Sequence, residues 1–224
     1  MIDTSTSSQE PRWRRLPEER PRQIIEAAIQ EFGDRGLAAA RLEDIAKRAG
    51  VSKGTIYLYF PNKEALFREM IRQLVGESIA EAHDRVMATE HSARGQIRAY
   101  TRAVWEYMRT PVFEKLHRLA SGELRNFPVL YQFFLQEVPI RNMNAVAGLV
   151  RRGIAAGEFR ELDADVAARM FLALMLNHGV WCAKRQQLPF MGEFSDEQLL
   201  EQMLDFFLHA IAASPIAPTT EVHE

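Results

Sequence analysis

The ten residues Val51-Ser52-Lys53-Gly54-Thr55-Ile56-Tyr57-Leu58-Tyr59-Phe60 decide how the first part of this chain folds. Ile56 and Phe60 are four residues apart, so a helix places both on its buried side. Ser52 is a favourable residue to cap the start of that helix. The pattern therefore predicts a short helix that exposes four polar or aromatic side chains: Lys53, Thr55, Tyr57 and Tyr59.

A second helix is predicted immediately before this one. From Leu42 to Ala49, apolar residues recur at the i, i+3, i+4, i+7 spacing of an amphipathic helix, and Gly50 then favours a helix end. Two short helices joined by a tight turn are typical of a helix-turn-helix DNA reader. The small or flexible first turn of the second helix favours approach of a phosphate backbone. The predicted DNA contacts are Ser52, Lys53, Gly54, Thr55, Tyr57 and Tyr59.

At these residues the chain resembles the TetR family of transcriptional regulators. The matching motifs are Ile45-Ala46, Ala49-Gly50-Val51-Ser52, Gly54-Thr55-Ile56-Tyr57 and Phe60-Pro61-Asn62-Lys63-Glu64-Ala65-Leu66-Phe67. The resemblance implies an all-α fold, with an N-terminal three-helix helix-turn-helix DNA-binding domain and a C-terminal helical bundle that dimerises and binds a small-molecule effector. It also implies a homodimer that binds a double-stranded DNA operator, and a phosphate contact from Lys63.

One residue departs from the family pattern. The family commonly has Thr where this chain has Arg41, so the hydroxyl cap of the first of the two helices is missing. Such a cap contributes about 1 kcal/mol. Glu43 and Asp44 partly compensate through the helix dipole, and Arg41 is a further candidate for a phosphate contact.

Composition agrees with a DNA-binding protein of the cytoplasm. The single cysteine, Cys182, has no partner for an internal disulfide, which favours a reducing compartment. The start of the chain does not resemble a secretory signal. The most apolar stretch, Met170 to Ala183, is interrupted by Asn177 and His178, so no membrane partner is expected. No cofactor is expected.

Charge is distributed unevenly, although the net charge is −2. Residues 1–63 carry 11 Lys and Arg against 9 Asp and Glu, so the basic excess lies in the DNA-binding half. Five arginines fall between Arg12 and Arg22. Two interpretations stay open for this segment: a basic arm that contacts the DNA backbone or minor groove, and a solvated leader.

Four segments are predicted: a flexible basic arm (1–17), the DNA-binding domain (18–62), the effector-binding and dimerisation domain (63–214) and a disordered tail (215–224). The first helix is expected to run from Glu18 to Arg35, and a long fourth helix from Lys63 to about Ala88. Pro139 falls within a helical run, so a kink or break is expected there.

The last two long helices are apolar on more than one face, which indicates a partner beyond the chain's own core. The family resemblance favours pairing with a second subunit, whereas the alternative is that both are central core helices. The predicted dimer contacts are Phe171, Met175, Leu200, Met203, Leu204 and Phe207.

A mixture of aromatic, methionine and polar side chains predicts an apolar effector site. Ordinary core packing explains the same composition, so that alternative stays open. Asn177 and His178 are the most informative members, because a buried polar side chain needs a hydrogen-bonding partner. The predicted lining is Trp105, Met108, Phe113, Leu116, His117, Phe133, Phe134, Met175, Asn177, His178 and Trp181.

An enzyme is the rival class. Glu114 and His117 have a Glu-x-x-His spacing, but a di-iron bundle needs two such motifs and further carboxylates. Neither a metal site nor a catalytic residue is therefore expected. We predict a repressor released by an apolar or amphipathic effector, with an activator, or a regulator controlled by a protein partner, as the alternative.

Overall fold

The computed structural model describes residues 19–77, 84–88, 92–187 and 193–213. These residues form helices and no β-strand. The helices are α1 Glu19–Ala39, α2 Leu42–Arg48, α3 Lys53–Tyr59, α4 Lys63–Ile71, α5 Ala93–Met108, α6 Pro111–Gly122, α7 Pro128–Leu135, α8 Arg141–Ala155, α9 Ala164–Ala183 and α10 Asp196–Ile211. The all-α prediction is confirmed. The predicted arm (1–17) and the predicted tail (215–224) lie outside the described residues.

Helices α1 to α3 form a three-helix head whose centre is apolar. Ile45 of α2 and Ile56 of α3 are fully buried, and Phe32 of α1 packs edge-on against Phe67 of α4. The head does not have a core of its own, because residues of α6 and α7 join the same cluster. This cluster, the first hydrophobic core, therefore contains residues from both sides of the boundary predicted between residues 62 and 63, and the division into domains stays a prediction.

Helix α1 continues to Ala39, beyond the predicted end at Arg35, through a kink at Gly36. Gly36 has φ 77° and ψ 165°, a backbone conformation that is open almost only to glycine. The kink turns the next residues toward α6, where the Glu123 carboxylate accepts a hydrogen bond from the Ala38 amide at 3.2 Å. The last turn of α1 is thus attached to the body of the protein.

Helix α4 differs from its predicted single span. It is α-helical from Lys63–Ile71 and continues as a π-helix over Arg72–Glu77, and residues 84–88 are again helical. The expected irregularity at Pro139 is confirmed, since a π-helix over Gln136–Ile140 joins α7 to α8. A proline lacks the amide hydrogen that a regular helix needs, so the chain widens its turn there.

The second core lies among α5, α8, α9 and α10. Tyr100 of α5, Val150 of α8, Phe171 of α9 and Leu204 of α10 are all buried in it. Helices α8 and α9 pack closely along their length. Helix α9 is therefore covered on one side by its own chain, and its other side faces the outside.

Gly36→Ala should lower the free energy of unfolding by about 2 kcal/mol. A methyl group on Gly36 would meet both an unfavourable φ and the Glu123 carboxylate, whose oxygen lies 1.8 Å from the ideal Cβ position. Urea denaturation followed by circular dichroism measures this change. Gly122→Ala is the matched control, because nothing lies within 4 Å of its Cβ position. Equal stability of the two variants would contradict the strain at Gly36.

Candidate nucleic-acid interface and ligand cavity

The start of α3 is fixed by its cap and by the turn before it. Gly50 has a positive φ of 68°, which lets the chain leave α2. The Ser52 hydroxyl accepts a hydrogen bond from the Thr55 amide at 3.1 Å and lies 2.8 Å from the Thr55 hydroxyl. Ser52 therefore acts as the predicted N-cap and also holds Thr55 in one position.

The outermost line of α3 is formed by residues 54 and 58, opposite buried Ile56. Leu58 is 80% exposed and Gly54 is exposed beside it. Lys53 and Tyr57 project on one side of this line, and Thr55 on the other. The sequence prediction missed Leu58, although its i, i+4 relation to Gly54 places both residues at the centre of the outer face. Tyr59, in contrast, is partly buried against the first hydrophobic core.

A carboxylate of α2 holds two side chains of α3. Glu43 Oε1 lies 2.9 Å from Lys53 Nζ and accepts a hydrogen bond from the Tyr57 hydroxyl at 3.1 Å. The Lys53 ammonium lies 5.8 Å from the centroid of the Tyr57 ring. The hydrogen bond from Lys53, with further ones from the Glu43 backbone and Tyr57, lowers the pKa of Glu43 to about 2. Glu43 is therefore ionised at any ordinary pH.

Lys63 supports the end of α1. Its ammonium donates hydrogen bonds to the backbone oxygens of Leu37 at 2.8 Å and Ala38 at 3.0 Å. Positive charge at a helix C-terminus is favourable because the carbonyl groups there carry partial negative charge. This contact links α4 to the same kinked turn of α1 that Glu123 holds. The phosphate contact of Lys63 stays a prediction beside this structural role.

An open apolar groove lies along α9 and α10, which we name the α9–α10 face. Ten large hydrophobic residues are exposed among the described residues, and five of them line this groove of about 1070 Å³. These five are Val166, Met170, Trp181, Phe194 and Phe206. Patches of this kind on a soluble protein usually mark a binding surface.

A separate cavity of about 850 Å³ lies between α5, α6 and α9, which we name the inner cavity. Its apolar wall includes Trp105, Met108 and Phe113. Its charged margin carries three cations, Arg109, Arg118 and Lys184, and two carboxylates, Glu114 and Asp196. A cavity of this volume, with an apolar wall and a charged margin, suits a small organic ligand that has an apolar part and a charged part.

One histidine lines each of these two surfaces, His178 the α9–α10 face and His117 the inner cavity. His178 is buried, its ring centroid lies 4.7 Å from that of Trp105, and burial lowers its pKa. His117 lines the inner cavity and stacks on Phe113 with ring centroids 5.7 Å apart. Burial and the nearby Lys184 lower the pKa of His117. Both rings are therefore held in the neutral form at neutral pH.

Helix α6 connects the inner cavity to the DNA-binding head. One side of α6 lines the cavity with Phe113 and His117. On the other side, Lys115 contacts Gln30 and pairs with Asp34 of α1 at 3.2 Å. Arg118 donates a hydrogen bond to the Gly33 carbonyl at 2.9 Å. A displacement of α6 would therefore act directly on α1.

Comparison with known proteins agrees with this geometry. Residues 24–70 match the family of bacterial regulatory proteins described as the tetR family, and residues 95–213 match the C-terminal domain of AefR-like transcriptional repressors. The chain belongs to the TetR family.

Two relatives of known role illustrate the similarity. The fatty acid metabolism regulator protein of Bacillus subtilis (strain 168) is 30% identical over 162 residues, which cover 69% of this chain and 80% of that protein. The transcriptional repressor KstR2 of Mycolicibacterium smegmatis is 26% identical over 203 residues, covering 88% and 93%. Both are transcriptional regulators.

A solved structure supports the fold. FadR from Bacillus subtilis in complex with stearoyl-CoA superimposes with a TM-score of 0.67 at 23% identity, covering 85% of this chain and 98% of that one. Membership of the TetR family, together with the curated relatives, makes the chain a transcriptional regulator rather than an enzyme. Glu114 and His117 belong to the margin and wall of the inner cavity, and no cluster of three metal-binding side chains occurs within the described residues.

The predicted effector residues do not form one site in this TetR-family chain. Trp105, Met108, Phe113 and His117 line the inner cavity, whereas Asn177, His178 and Trp181 line the α9–α10 face. Asn177 is exposed and donates a hydrogen bond to the carbonyl of Ala173 in its own helix. Three predicted residues pack with the first hydrophobic core instead, and a fourth belongs to the second core: Leu116, Phe133, Phe134 and Met175.

The predicted dimer contacts lie on the inner sides of α9 and α10. Five are buried within the single chain: Phe171, Met175, Leu200, Leu204 and Phe207. Of these five, Phe207 also reaches the lining of the α9–α10 face. Met203 is partly buried and also lines the α9–α10 face. The outer residues of the same helices replace the buried five as candidates for a subunit contact. Neighbouring positions on these helices are equally apolar, which explains why the sequence did not separate them.

Lys63→Ala should lower the free energy of unfolding by about 1–2 kcal/mol, because two backbone oxygens of α1 lose their charged donor. Urea denaturation measures the loss. Lys47→Ala is the control. Lys47 is exposed in the last turn of α2, and its substitution removes the same charge. If the two substitutions lowered the free energy of unfolding equally, the hydrogen bonds of Lys63 would not contribute to stability. Weaker DNA binding with a salt slope reduced by about one unit would separately indicate its phosphate contact.

Proposed function

We propose that this TetR-family regulator is a homodimeric repressor that binds a palindromic operator in the cytoplasm and is released by a long-chain acyl thioester. The observation that carries the proposal is the separation of three surfaces: the exposed α3 face, the apolar α9–α10 face and the inner cavity. Each has the chemistry that one step of this function requires. The repressor role is supported by the similarity to AefR-like repressors and to KstR2.

The occupant proposed for the α9–α10 face is the same face of a second chain. Phe206 is 71% exposed and Met170 is 61% exposed, which is unfavourable for residues left in water. By length and composition α9 could cross a membrane, but the core helix of a soluble protein passes the same test. Phe171 and Met175 of α9 are buried in the chain's own core, which favours a protein partner on the outer side. A two-fold contact would pair like surfaces, as dimers do.

The effector class is proposed from the inner cavity and from the relatives. The apolar wall would hold an acyl chain, and Arg109, Arg118 and Lys184 at the margin would attract a negatively charged head group. Two of these cations already have partners, since Arg109 pairs with Glu197 at 2.7 Å and Arg118 donates a hydrogen bond to the Gly33 carbonyl at 2.9 Å, so Lys184 is the third candidate for the head group. The relative that regulates fatty acid metabolism and the FadR complex with stearoyl-CoA support an acyl-CoA in particular.

Helix α6 is proposed as the element that carries the signal. A ligand shifts a conformational equilibrium only by the difference between its affinities for the two states. An acyl chain against Phe113 and His117 would favour a displaced α6, and Lys115 and Arg118 would transfer that displacement to α1. In a dimer this would change the separation of the two α3 helices relative to successive major grooves.

Selection of bound fragments from random DNA at about 150 mM salt should recover a palindromic site with the unmodified protein. Phe206→Glu should prevent that recovery and give a monomer in sedimentation velocity at micromolar concentration, because a charge would be buried in the subunit contact. Fragment sequencing and sedimentation together provide the measurement.

Val129→Glu is the matched control for this experiment. Val129 is 70% exposed and lies in α7, outside the α9–α10 face. The substitution therefore introduces the same charge at an equally exposed apolar residue. It should leave both the palindrome and the dimer unchanged. A dimeric Phe206→Glu protein would show that the subunits meet elsewhere, and recovery of only sequence-independent fragments by the unmodified protein would contradict operator recognition.

Stearoyl-CoA should release the protein from its selected operator, whereas coenzyme A alone should not. Phe113→Ala should raise the stearoyl-CoA concentration needed for half release by roughly 10- to 100-fold, since an aromatic side chain that the ligand buries contributes about 1.5–3 kcal/mol. Fluorescence anisotropy of labelled operator DNA follows the release.

Phe194→Ala distinguishes the two apolar surfaces in this titration. Phe194 is an aromatic residue of the α9–α10 face and does not line the inner cavity. At a protein concentration where sedimentation velocity shows this variant to be dimeric, its substitution should leave the half-release concentration unchanged. A larger effect at Phe194 than at Phe113 would move the effector site to the α9–α10 face, and no release at any stearoyl-CoA concentration would reject the acyl thioester.

A further inference from the structure

The DNA-reading surface contains a negative charge that repels DNA. Glu43 lies in the first turn of α2, and its side chain is 42% exposed. One oxygen of its carboxylate contacts both Lys53 and Tyr57, which are two of the residues predicted to touch DNA. A carboxylate at this position opposes phosphates, so its presence needs a compensating role.

The three side chains form a closed cluster. The ammonium of Lys53 contacts the carboxylate of Glu43 and also lies 5.8 Å from the centroid of the Tyr57 ring. The Tyr57 hydroxyl donates to the same carboxylate oxygen. Lys53 and Tyr57 are four residues apart on α3, so Glu43 fixes both ends of one helical face. Each side chain therefore restricts the positions of the other two.

We propose that Glu43 is a specificity-determining residue of the DNA-reading surface, where its carboxylate positions Lys53 and Tyr57 and suppresses binding to DNA of unrelated sequence. On unrelated DNA, Lys53 gains a phosphate only by giving up Glu43, and the carboxylate then faces the negative backbone. On the operator, base edges in the major groove offer acceptors to Lys53 and donors to the carboxylate, such as the amino group of cytosine. The repulsion between the carboxylate and the phosphates is thus offset by base contacts only at matching sequences.

Removal of the charge should act mainly on unrelated DNA. Glu43→Gln retains an oxygen that can accept from Lys53 and Tyr57 but loses the negative charge. We expect affinity for unrelated DNA to rise roughly two- to fivefold, the scale of one exposed ion pair. The salt slope for unrelated DNA should steepen, by up to about one unit, because Lys53 becomes available to a phosphate. Operator affinity should rise less, so the ratio of operator to unrelated binding should fall.

Asp44→Asn is the matched control. Asp44 is the next residue in the same helical turn, and its side chain is also 42% exposed. Its carboxylate lies 3.4 Å from Arg35 of α1. The substitution Asp44→Asn therefore removes the same charge without affecting a side chain of α3. Tyr57→Phe, alone and combined with Glu43→Gln, isolates the hydrogen bond between the two residues.

The measurement is anisotropy of labelled operator and unrelated duplexes at several salt concentrations, with the full-length protein and each variant. A lower specificity ratio in Glu43→Gln than in Asp44→Asn supports the proposal. Equal ratios in these two variants, or a higher ratio in Glu43→Gln, would overturn it. The inference rests on the proposed operator recognition: an unmodified protein without sequence preference would reject that function itself, whereas a selective unmodified protein with equal variants would reject only the role of Glu43.

Discussion

The carboxylate of Glu31 is the charge around which the DNA-binding head is arranged. Its side chain is only 3% exposed, and it pairs with Arg48 of α2 at 3.1 Å and with Arg35 of its own helix at 3.3 Å. A buried carboxylate without partners would cost several kcal/mol, so α2 must lie where Arg48 reaches α1. Arg48 also pairs with Asp34, which pairs in turn with Lys115 of α6. Alternating charges therefore run from the reading head to the helix beside the inner cavity.

This arrangement makes α1 a shared layer between two functions. One side of α1 supports α2 and α4, and the other receives α6 at Gly33, where an ideal Cβ would lie 2.6 Å from Lys115 Cδ. The close approach leaves little space for α6 to move independently of α1. A ligand that displaced α6 would therefore have to shift the head or break several hydrogen bonds and ion pairs. In the proposed function, coupling between the cavity and the DNA surface would follow from packing density, without requiring a flexible linker.

Local patterns predicted the head well because the relevant interactions are local. Ser52 caps α3 three residues away, Gly50 ends α2, and Ile56 lies in the core, all within a short stretch of chain. The contacts that the sequence did not predict join distant segments. Lys63 reaches carbonyl groups about 25 residues earlier, and Glu43 meets Tyr57 across 14 residues. Periodicity assigns a side chain to a face of its own helix, but it carries no information about which helix that face meets.

The C-terminal helices show the same limit in another form. Residues 170 and 171 are both apolar and adjacent, yet Met170 is 61% exposed and Phe171 is 2% exposed. A helix that contacts its own core on one side and a partner on the other must be apolar around most of its circumference. The excess of apolar residues in α9 therefore predicted a partner. Because of the same excess, α9 has no polar stripe, so the sequence did not indicate which side of the helix the partner covers. The packing of α9 into the second core decides this, because it buries Phe171, whose ring contacts Phe207 of α10, together with Met175, and leaves Met170 and Trp181 outside.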